Sequence, residues 1–369
     1  MYKLLRPLLF LLDPEVSHTL SLGGLSMLNR VPGAASLLRR LTGNRVPVLP
    51  TEVMGLHFSN PIGLAAGLDK DATCPGPLSD LGFGFLELGT VTPQAQNGNE
   101  RPRLFRLAAH QAIINRMGFN STGVEAFIQN LEAAGPLPVP VGINLGKNAT
   151  TPIDKALDDY VMGMKSVYSL ADYITINISS PNTQDLRNLQ GPENLKHLLA
   201  GLKQEQTILA KQHHRNVPLL IKIAPDLSTA EITALANSIL EHKIDGVIAT
   251  NTTITRPGLE AAPLAKESGG LSGQPLKDPS TAVIKALFNT LKGRVPIIGV
   301  GGISSAEDAW EKLLAGADLI QIYSAFIYQG PRVIRQIAVG LERKIRQLGC
   351  NTLTEAIHQA RTNTVVSHL

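Results

Sequence analysis

From residue ~60 onward the chain alternates between short apolar runs and longer amphipathic stretches. The runs are PIGLAAG (61–67), FLELGTV (85–91), PVGINLG (140–146), YITINIS (173–179), PLLIKIA (218–224), GVIATN (246–251), PIIGVGG (296–302) and LIQIYSAF (319–326). Most are apolar throughout instead of alternating, the pattern of strands covered on both faces. Several gaps hold helical periodicity, as in ENLKHLLAGLKQEQTILAK (193–211) and SAEDAWEKLLAGA (305–317). Eight strands interleaved with helices predict an α/β fold, a (β/α)8 TIM barrel. A doubly wound sheet would want fewer strands and an early Gly-x-Gly-x-x-Gly turn, and none follows the first run.

Two connections, after the second and sixth runs, are long, roughly 50 residues each, and connections of that length are usually functional or structured in themselves. The first contains PRLFRL and AIINRM, which predict a hairpin over the barrel mouth; the second contains the glycine-rich GGLSG. The first ~45 residues read differently. Tyr2, Leu5, Leu8, Leu9 and Leu12 recur at helical spacing, with Pro7 expected to shorten or kink the helix. Asp13-Pro14 reads as an N-cap with a first-turn proline, after which Val16, Leu20, Met27, Leu28 and Val31 continue an apolar stripe. Lys3, Arg6, Arg30, Arg39 and Arg40 make the other side basic. Two readings stand: helices lying in a membrane interface, or a helical pair packed on its own domain.

Composition narrows the function classes. Of 369 residues, 43% are hydrophobic and 17% charged, as in a folded chain. Aromatic residues at 4% and a net charge of +4 without a Lys/Arg block speak against nucleic acid. Two cysteines, Cys74 and Cys350, support neither a disulfide framework nor a Cys-x-x-Cys metal site. No apolar run approaches the ~20 residues that span a bilayer. The signal-like start is broken at once by Asp13, Pro14 and Glu15.

Barrel chemistry sits at the C-terminal ends of the strands. Those ends carry Lys70, Thr90, Asn144, Asn177 with Ser179, Ser180 and Asn182, then Lys222, Thr250-Asn251-Thr252, Gly301-Gly302 and Tyr323-Ser324. A single Asn or Thr beside an apolar strand is usually a satisfied core group. A set on most strand ends fits a polar, planar, uncharged ligand, because amides both donate and accept; a flavin or a pyrimidine qualifies. Lys222 within IKIA reads as a fixed positive charge inside the barrel, or as a lysine snorkelling from the strand end. GVGGISS (299–305) before the QIYSAF segment resembles a phosphate cradle at the usual barrel position. His57, His110, His213, His214 and His242 lack ligand spacing, and Ser180 stands in no Gly-x-Ser-x-Gly elbow, which disfavours metal and acyl-transfer chemistry.

The motifs LAAGLDKD (64–71), GTVTPQAQNGNERPRLFRL (89–107), NRMGFN (115–120), INISSPNT (176–183), IKIAPDLS (221–228), GVIATNTT (246–253), GGLSGQPL (269–276) and GVGGISS (299–305) span nearly the whole chain. Together they resemble the membrane-associated, quinone-dependent (class 2) dihydroorotate dehydrogenases. The resemblance implies oxidation of dihydroorotate to orotate in pyrimidine biosynthesis, by one FMN per chain that passes electrons to ubiquinone or menaquinone. It puts FMN against Ala66, Gly67, Leu68, Asp69, Lys70, Thr90, Asn144, Asn177, Lys222, Thr250, Gly273, Gly302, Tyr323 and Ser324. It puts dihydroorotate on Lys70, Asn115, Arg116, Met117, Gly118, Phe119, Asn182, Asn251 and Thr252, with Ser180 as the base that takes the C5 proton.

Serine at the base position separates the chain from the soluble class 1 relatives, which carry cysteine there and lack the N-terminal extension. The resemblance therefore implies a membrane foot at 1–45, an FMN-binding catalytic barrel at 46–369, and a quinone tunnel near His18, Arg106 and Tyr323. A monomer is expected; the location expected is peripheral, on the cytoplasmic side of the inner membrane, since no Arg/Ser-rich presequence precedes the foot. Ala95 departs from the proline common at this place in the family.

Overall fold

A computed structural model describes residues 2–29, 31–42, 45–259 and 261–366. Along the chain run α1 (Tyr2–Leu11), α2 (Pro14–Asn29), α3 (Ala34–Leu41), β1 (Thr51–Val53), β2 (Leu56–Phe58), β3 (Ile62–Leu64), α4 (Pro75–Ser79), β4 (Phe85–Val91), β5 (Leu104–Leu107), β6 (Ala112–Asn115), α5 (Val124–Ala134) and β7 (Val141–Leu145). They continue with α6 (Ala156–Val167), β8 (Tyr173–Asn177), α7 (Pro192–His213), β9 (Leu219–Ile223), α8 (Thr229–Glu241), β10 (Gly246–Ala249), β11 (Gly270–Gly273), α9 (Lys277–Leu291), β12 (Ile297–Val300), α10 (Ala306–Ala315), β13 (Leu319–Ile322), α11 (Ser324–Gln329), α12 (Arg332–Gln347) and α13 (Leu353–Val366).

All eight apolar runs are strands of one closed barrel, ordered β3-β4-β7-β8-β9-β10-β12-β13 with β13 pairing back to β3, every pair parallel. Strands packed between a filled interior and a ring of helices bury both faces, which is why the runs carry no alternation. Val53 and Phe58 of the β1–β2 hairpin plug the bottom, packing with Phe85, Tyr173, Leu220, Ile248, Ile298 and Leu319. The larger core lies between barrel and helices.

Over the mouth, β5 and β6 form the expected antiparallel hairpin. GGLSG adds a strand that its glycine content concealed: β11 pairs antiparallel with β6, Gly270 opposite Asn115. Glycine is required at 270, because a Cβ there would lie 1.9 Å from Thr252 Oγ1. Leu107, Ala112, Ile114, Leu259 and Leu271 form a small core under this sheet.

The N-terminal segment holds three helices, one more than the periodicity suggested. Helix α1 runs through Pro7 to Leu11, and the ring removes one backbone donor without breaking it. Asp13 caps α2, its Oδ1 accepting from the backbone N–H of Glu15 at 2.9 Å and Val16 at 3.1 Å. Polar contacts tie these helices to the barrel. Tyr2 donates to the Ile327 carbonyl, Arg6 to that of Tyr328, and Arg39 to Asp80 at 2.8 Å. Glu15 accepts from Arg101 and Arg103. The apolar side stays outward: eleven of the fifteen large exposed hydrophobics among the described residues belong to this segment, with Leu8 at 63% and Leu11 at 84% exposure. Arg30 lies outside the described residues. No described helix is long and apolar enough to cross a membrane.

Candidate active site

Inside the barrel, above the apolar plug, the chain places one polar layer. Glu87 of β4 is fully buried and accepts four hydrogen bonds: from Asn144 Nδ2 at 2.7 Å and Lys222 Nζ at 3.3 Å on one oxygen, and from Gln321 Nε2 at 2.7 Å and Tyr173 OH at 3.3 Å on the other. Lys222 on β9 therefore points inward and is held by a carboxylate instead of snorkelling out. Burial and the neighbouring Glu87 charge push the Tyr173 phenol well above its ordinary range, so it stays a neutral donor.

One turn higher the amides interlock. Asn144 Oδ1 accepts from Thr90 Oγ1 at 2.6 Å and Asn177 Nδ2 at 3.3 Å. Asn177 Oδ1 accepts from Asn251 Nδ2 at 3.2 Å, and Asn251 Oδ1 from the Thr252 backbone at 2.7 Å. Across the cavity Asn182 Nδ2 donates to Asn115 Oδ1 at 3.2 Å, while Asn99 ties the Asn182 and Arg116 carbonyls together. Ser180 is buried here and its Oγ accepts from the Asn182 backbone at 3.2 Å. Three residues on, Thr183 Oγ1 is buried without a partner. Lys70 Nζ donates to Asn120 Oδ1. Burial, helped by the nearby Arg103 charge, pulls its pKa down to about 8.

A single cavity gathers most of the expected residues: Ala66, Gly67, Lys70, Thr90, Asn115, Met117, Gly118, Phe119, Asn177, Ser180, Asn182, Lys222, Thr250, Asn251, Thr252, Gly273, Gly302, Tyr323 and Ser324 all line it. At one end Gly301-Gly302-Ile303-Ser304 after β12 faces Tyr323-Ser324-Ala325 after β13. Gly302 has φ +69°, and a Cβ there would lie 2.3 Å from Lys277 Cα, so the loop is drawn in against α9 as only glycine permits. Such a cradle fits a phosphate, and the amides fit a ring of alternating C=O and N–H groups. The Tyr323 phenol is pushed up to about 12 by burial. At the other end the cavity reaches Glu15 and His18 of α2, with His18 Nε2 2.6 Å from the Leu68 carbonyl. Burial lowers the His18 pKa and keeps its ring neutral at pH 7.

Five expected residues do not line the cavity. Asn144 sits behind Thr90 and Asn177, its Oδ1 accepting from both. Leu68 is in the core, and Asp69 turns away to accept from the Thr73 and Cys74 backbones at 2.7 and 2.9 Å, capping the turn into α4. Arg116 stacks on Phe105 and pairs with Glu267. Arg106 stacks on Phe10 and donates to the Leu9 and Leu12 carbonyls at the end of α1. Sequence reasoning passed over Glu87 and Gln321, each a lone polar residue in the middle of an apolar run. It also passed over Arg103, which is buried, bonds the Asn97 and Asn99 carbonyls at 2.6 and 2.8 Å, and pairs with Glu15.

A family model described as dihydroorotate dehydrogenase matches residues 48–345. A protein of Idiomarina loihiensis named dihydroorotate dehydrogenase (quinone) is 54% identical over 337 residues, covering 91% of this chain and 99% of that one. One of Nitrosomonas europaea with the same name is 53% identical, covering 90% and 95%. A crystal structure of DHODH from Eimeria tenella in complex with ferulenol aligns with a TM-score of 0.86 at 37% identity, covering 94% of this chain and 95% of that one.

Proposed function

The chain belongs to the dihydroorotate dehydrogenase family, and we propose that it oxidises dihydroorotate to orotate for pyrimidine biosynthesis as a membrane-peripheral, FMN-dependent dehydrogenase that reduces a quinone. The observation that carries this reading is the single cavity joining a glycine cradle, an amide-lined barrel mouth and helix α2. The Gly301–Ser304 loop would hold the phosphate of FMN and Lys222 would stand by its ring; bound there, FMN would supply a hydride acceptor for C6 and a source of electrons for the quinone.

The protein's own groups do the rest. Lys70 binds the substrate carboxylate, and Asn115, Asn182 and Asn251 match the ring's C=O and N–H groups. Ser180 takes the C5 proton. Serine's ordinary pKa is far from that of an efficient base, and no described His, Asp or Glu hydrogen-bonds its Oγ, so its proton must move on. Thr183 Oγ1, buried without a partner, is the group suited to hold a water that accepts it. Lys222, itself buried, offers a fixed positive charge where negative charge arrives with the hydride.

The three N-terminal helices (1–45) form the foot and the remaining residues (46–369) the catalytic barrel. The foot's outward apolar side, with Arg39 and Arg40 on α3, suits a bilayer surface on the cytoplasmic side. Quinone enters beside His18, with Arg106 and Tyr323 nearby. The site is complete within one chain, so a monomer suffices.

The test is flavin absorbance under anaerobic conditions. Dihydroorotate should bleach the bound flavin and a short-chain ubiquinone should restore it. No bleaching of FMN-loaded protein sinks the substrate assignment; bleaching without recovery sinks the acceptor. Ser180→Ala should retain FMN yet be bleached slower by a factor of ~100–10,000, the usual weight of a catalytic base. An unchanged rate rules Ser180 out.

A further inference from the structure

Glu87 is the only carboxylate among the described residues that pairs with Lys222, and it stands directly behind Lys222 and Gln321, which line the cavity. An ionised carboxylate can only accept. Asn144 and Gln321 must therefore both turn their NH2 groups toward it, as they do at 2.7 Å. That choice propagates. With its NH2 committed to Glu87, Asn144 presents Oδ1 to Thr90 and Asn177; Asn177 then presents its own Oδ1 to Asn251, and Asn251 its Oδ1 to Thr252. One buried charge thus sets the donor–acceptor sense of a chain of side chains running from the barrel interior to the mouth.

We propose that Glu87 is a positioning residue that fixes the Lys222 ammonium and the orientation of the Asn144 and Gln321 amides, and so tunes the electron affinity of the bound flavin. The proposal rests on the reading that Lys222 faces FMN. Two electrostatic consequences follow. The Glu87 charge offsets that of Lys222, so removing it makes electron uptake easier. A glutamine in its place brings a donor against amide donors, and one of Asn144 or Gln321 must turn over.

The experiment measures the flavin midpoint potential of the holoenzyme by anaerobic dye titration, with flavin content and melting temperature recorded in parallel. Lys222→Met should shift the equilibrium toward oxidised flavin. Glu87→Gln should shift it at least tenfold toward reduced flavin, about 30 mV for a two-electron couple. Glu87→Asp, which keeps the charge, should return it to within about threefold of wild type. A shift with Lys222→Met but none with Glu87→Gln overturns the inference, even if Glu87→Gln binds FMN more weakly or melts early, because a merely structural residue would do that alone. No shift with Lys222→Met overturns the placement of Lys222 at the flavin and this inference with it. If Glu87→Gln does not accumulate, wild-type holoenzyme carrying carboxyl-13C glutamate decides the matter. A glutamate carboxylate band should move in the reduced-minus-oxidised infrared spectrum, and a silent band overturns the proposal.

Discussion

Raising the pH from 7 to 9 should weaken dihydroorotate binding about tenfold, and Lys70 is the cause. Its ammonium lines the cavity, donates to Asn120 and stands near Arg103, so burial first and the like charge second bring its pKa to about 8. The substrate carboxylate needs the charged form. Affinity should therefore be full below pH 8 and fall as pH rises through it, by the factor 1 + 10^(pH − 8). That factor is about 1.1 at pH 7 and about 11 at pH 9, a difference of about 1.4 kcal/mol.

Binding is best read apart from turnover, from the absorbance perturbation of FMN-loaded Ser180→Ala titrated with dihydroorotate. A paired carboxylate raises the lysine pKa again, so at pH 9 binding should take up close to one proton per site, measurable by calorimetry in buffers of different ionisation heat. Lys70→Arg keeps its charge across this range and should abolish the alkaline loss whatever its absolute affinity. A flat wild-type profile between pH 7 and 9, or a loss that persists in Lys70→Arg, would refute the assignment of the carboxylate to Lys70.

Gly302→Ala places a Cβ 2.3 Å from Lys277 Cα at φ +69°, a left-handed conformation that costs a non-glycine residue roughly 1–2 kcal/mol before the clash. The purified variant should carry little FMN while keeping its circular dichroism spectrum, and full flavin content would show that the cradle holds no phosphate. Leu8→Glu/Leu11→Glu changes two residues that are outward already, so folding and flavin content should persist. Each buried leucine contributes roughly 1.5–3 kcal/mol, so binding to anionic vesicles in a flotation assay should fall at least a hundredfold; unchanged flotation would dismiss the foot as a membrane contact.

What could be read from the chain follows from how far each feature depends on distant partners. The eight barrel strands were legible because burial on both faces is written locally, as an unbroken apolar run. Asn177 and Asn251 line the cavity because a polar residue at the end of such a run lands at the mouth whatever the rest of the barrel does, whereas Asn144 stops behind them and bonds Glu87. Asp69 shows the limit of inference by adjacency: beside Lys70 in one motif, it is turned away to accept from the Thr73 and Cys74 backbone N–H groups in the turn before α4. Strand β11 was hidden because its glycines carry no strand preference; Gly270 is there for the close approach to Thr252 and Gly273 for the approach to the Gln111 carbonyl.

Glu87 is the more instructive omission. A glutamate within FLELGTV is visible as an oddity, but its meaning depends on Lys222, 135 residues away, and Gln321, 234 residues away. Nothing local says which inward-facing residues share its layer; that is decided when β13 closes on β3 and the register of all eight strands is set. A buried carboxylate without those donors would be among the most costly residues in the chain; with them it accepts from Asn144 and Gln321, and through Asn144 the order runs on to Asn177 and Asn251. Isolated polar residues inside apolar strands of a barrel are therefore the positions at which closure, not sequence, determines the chemistry.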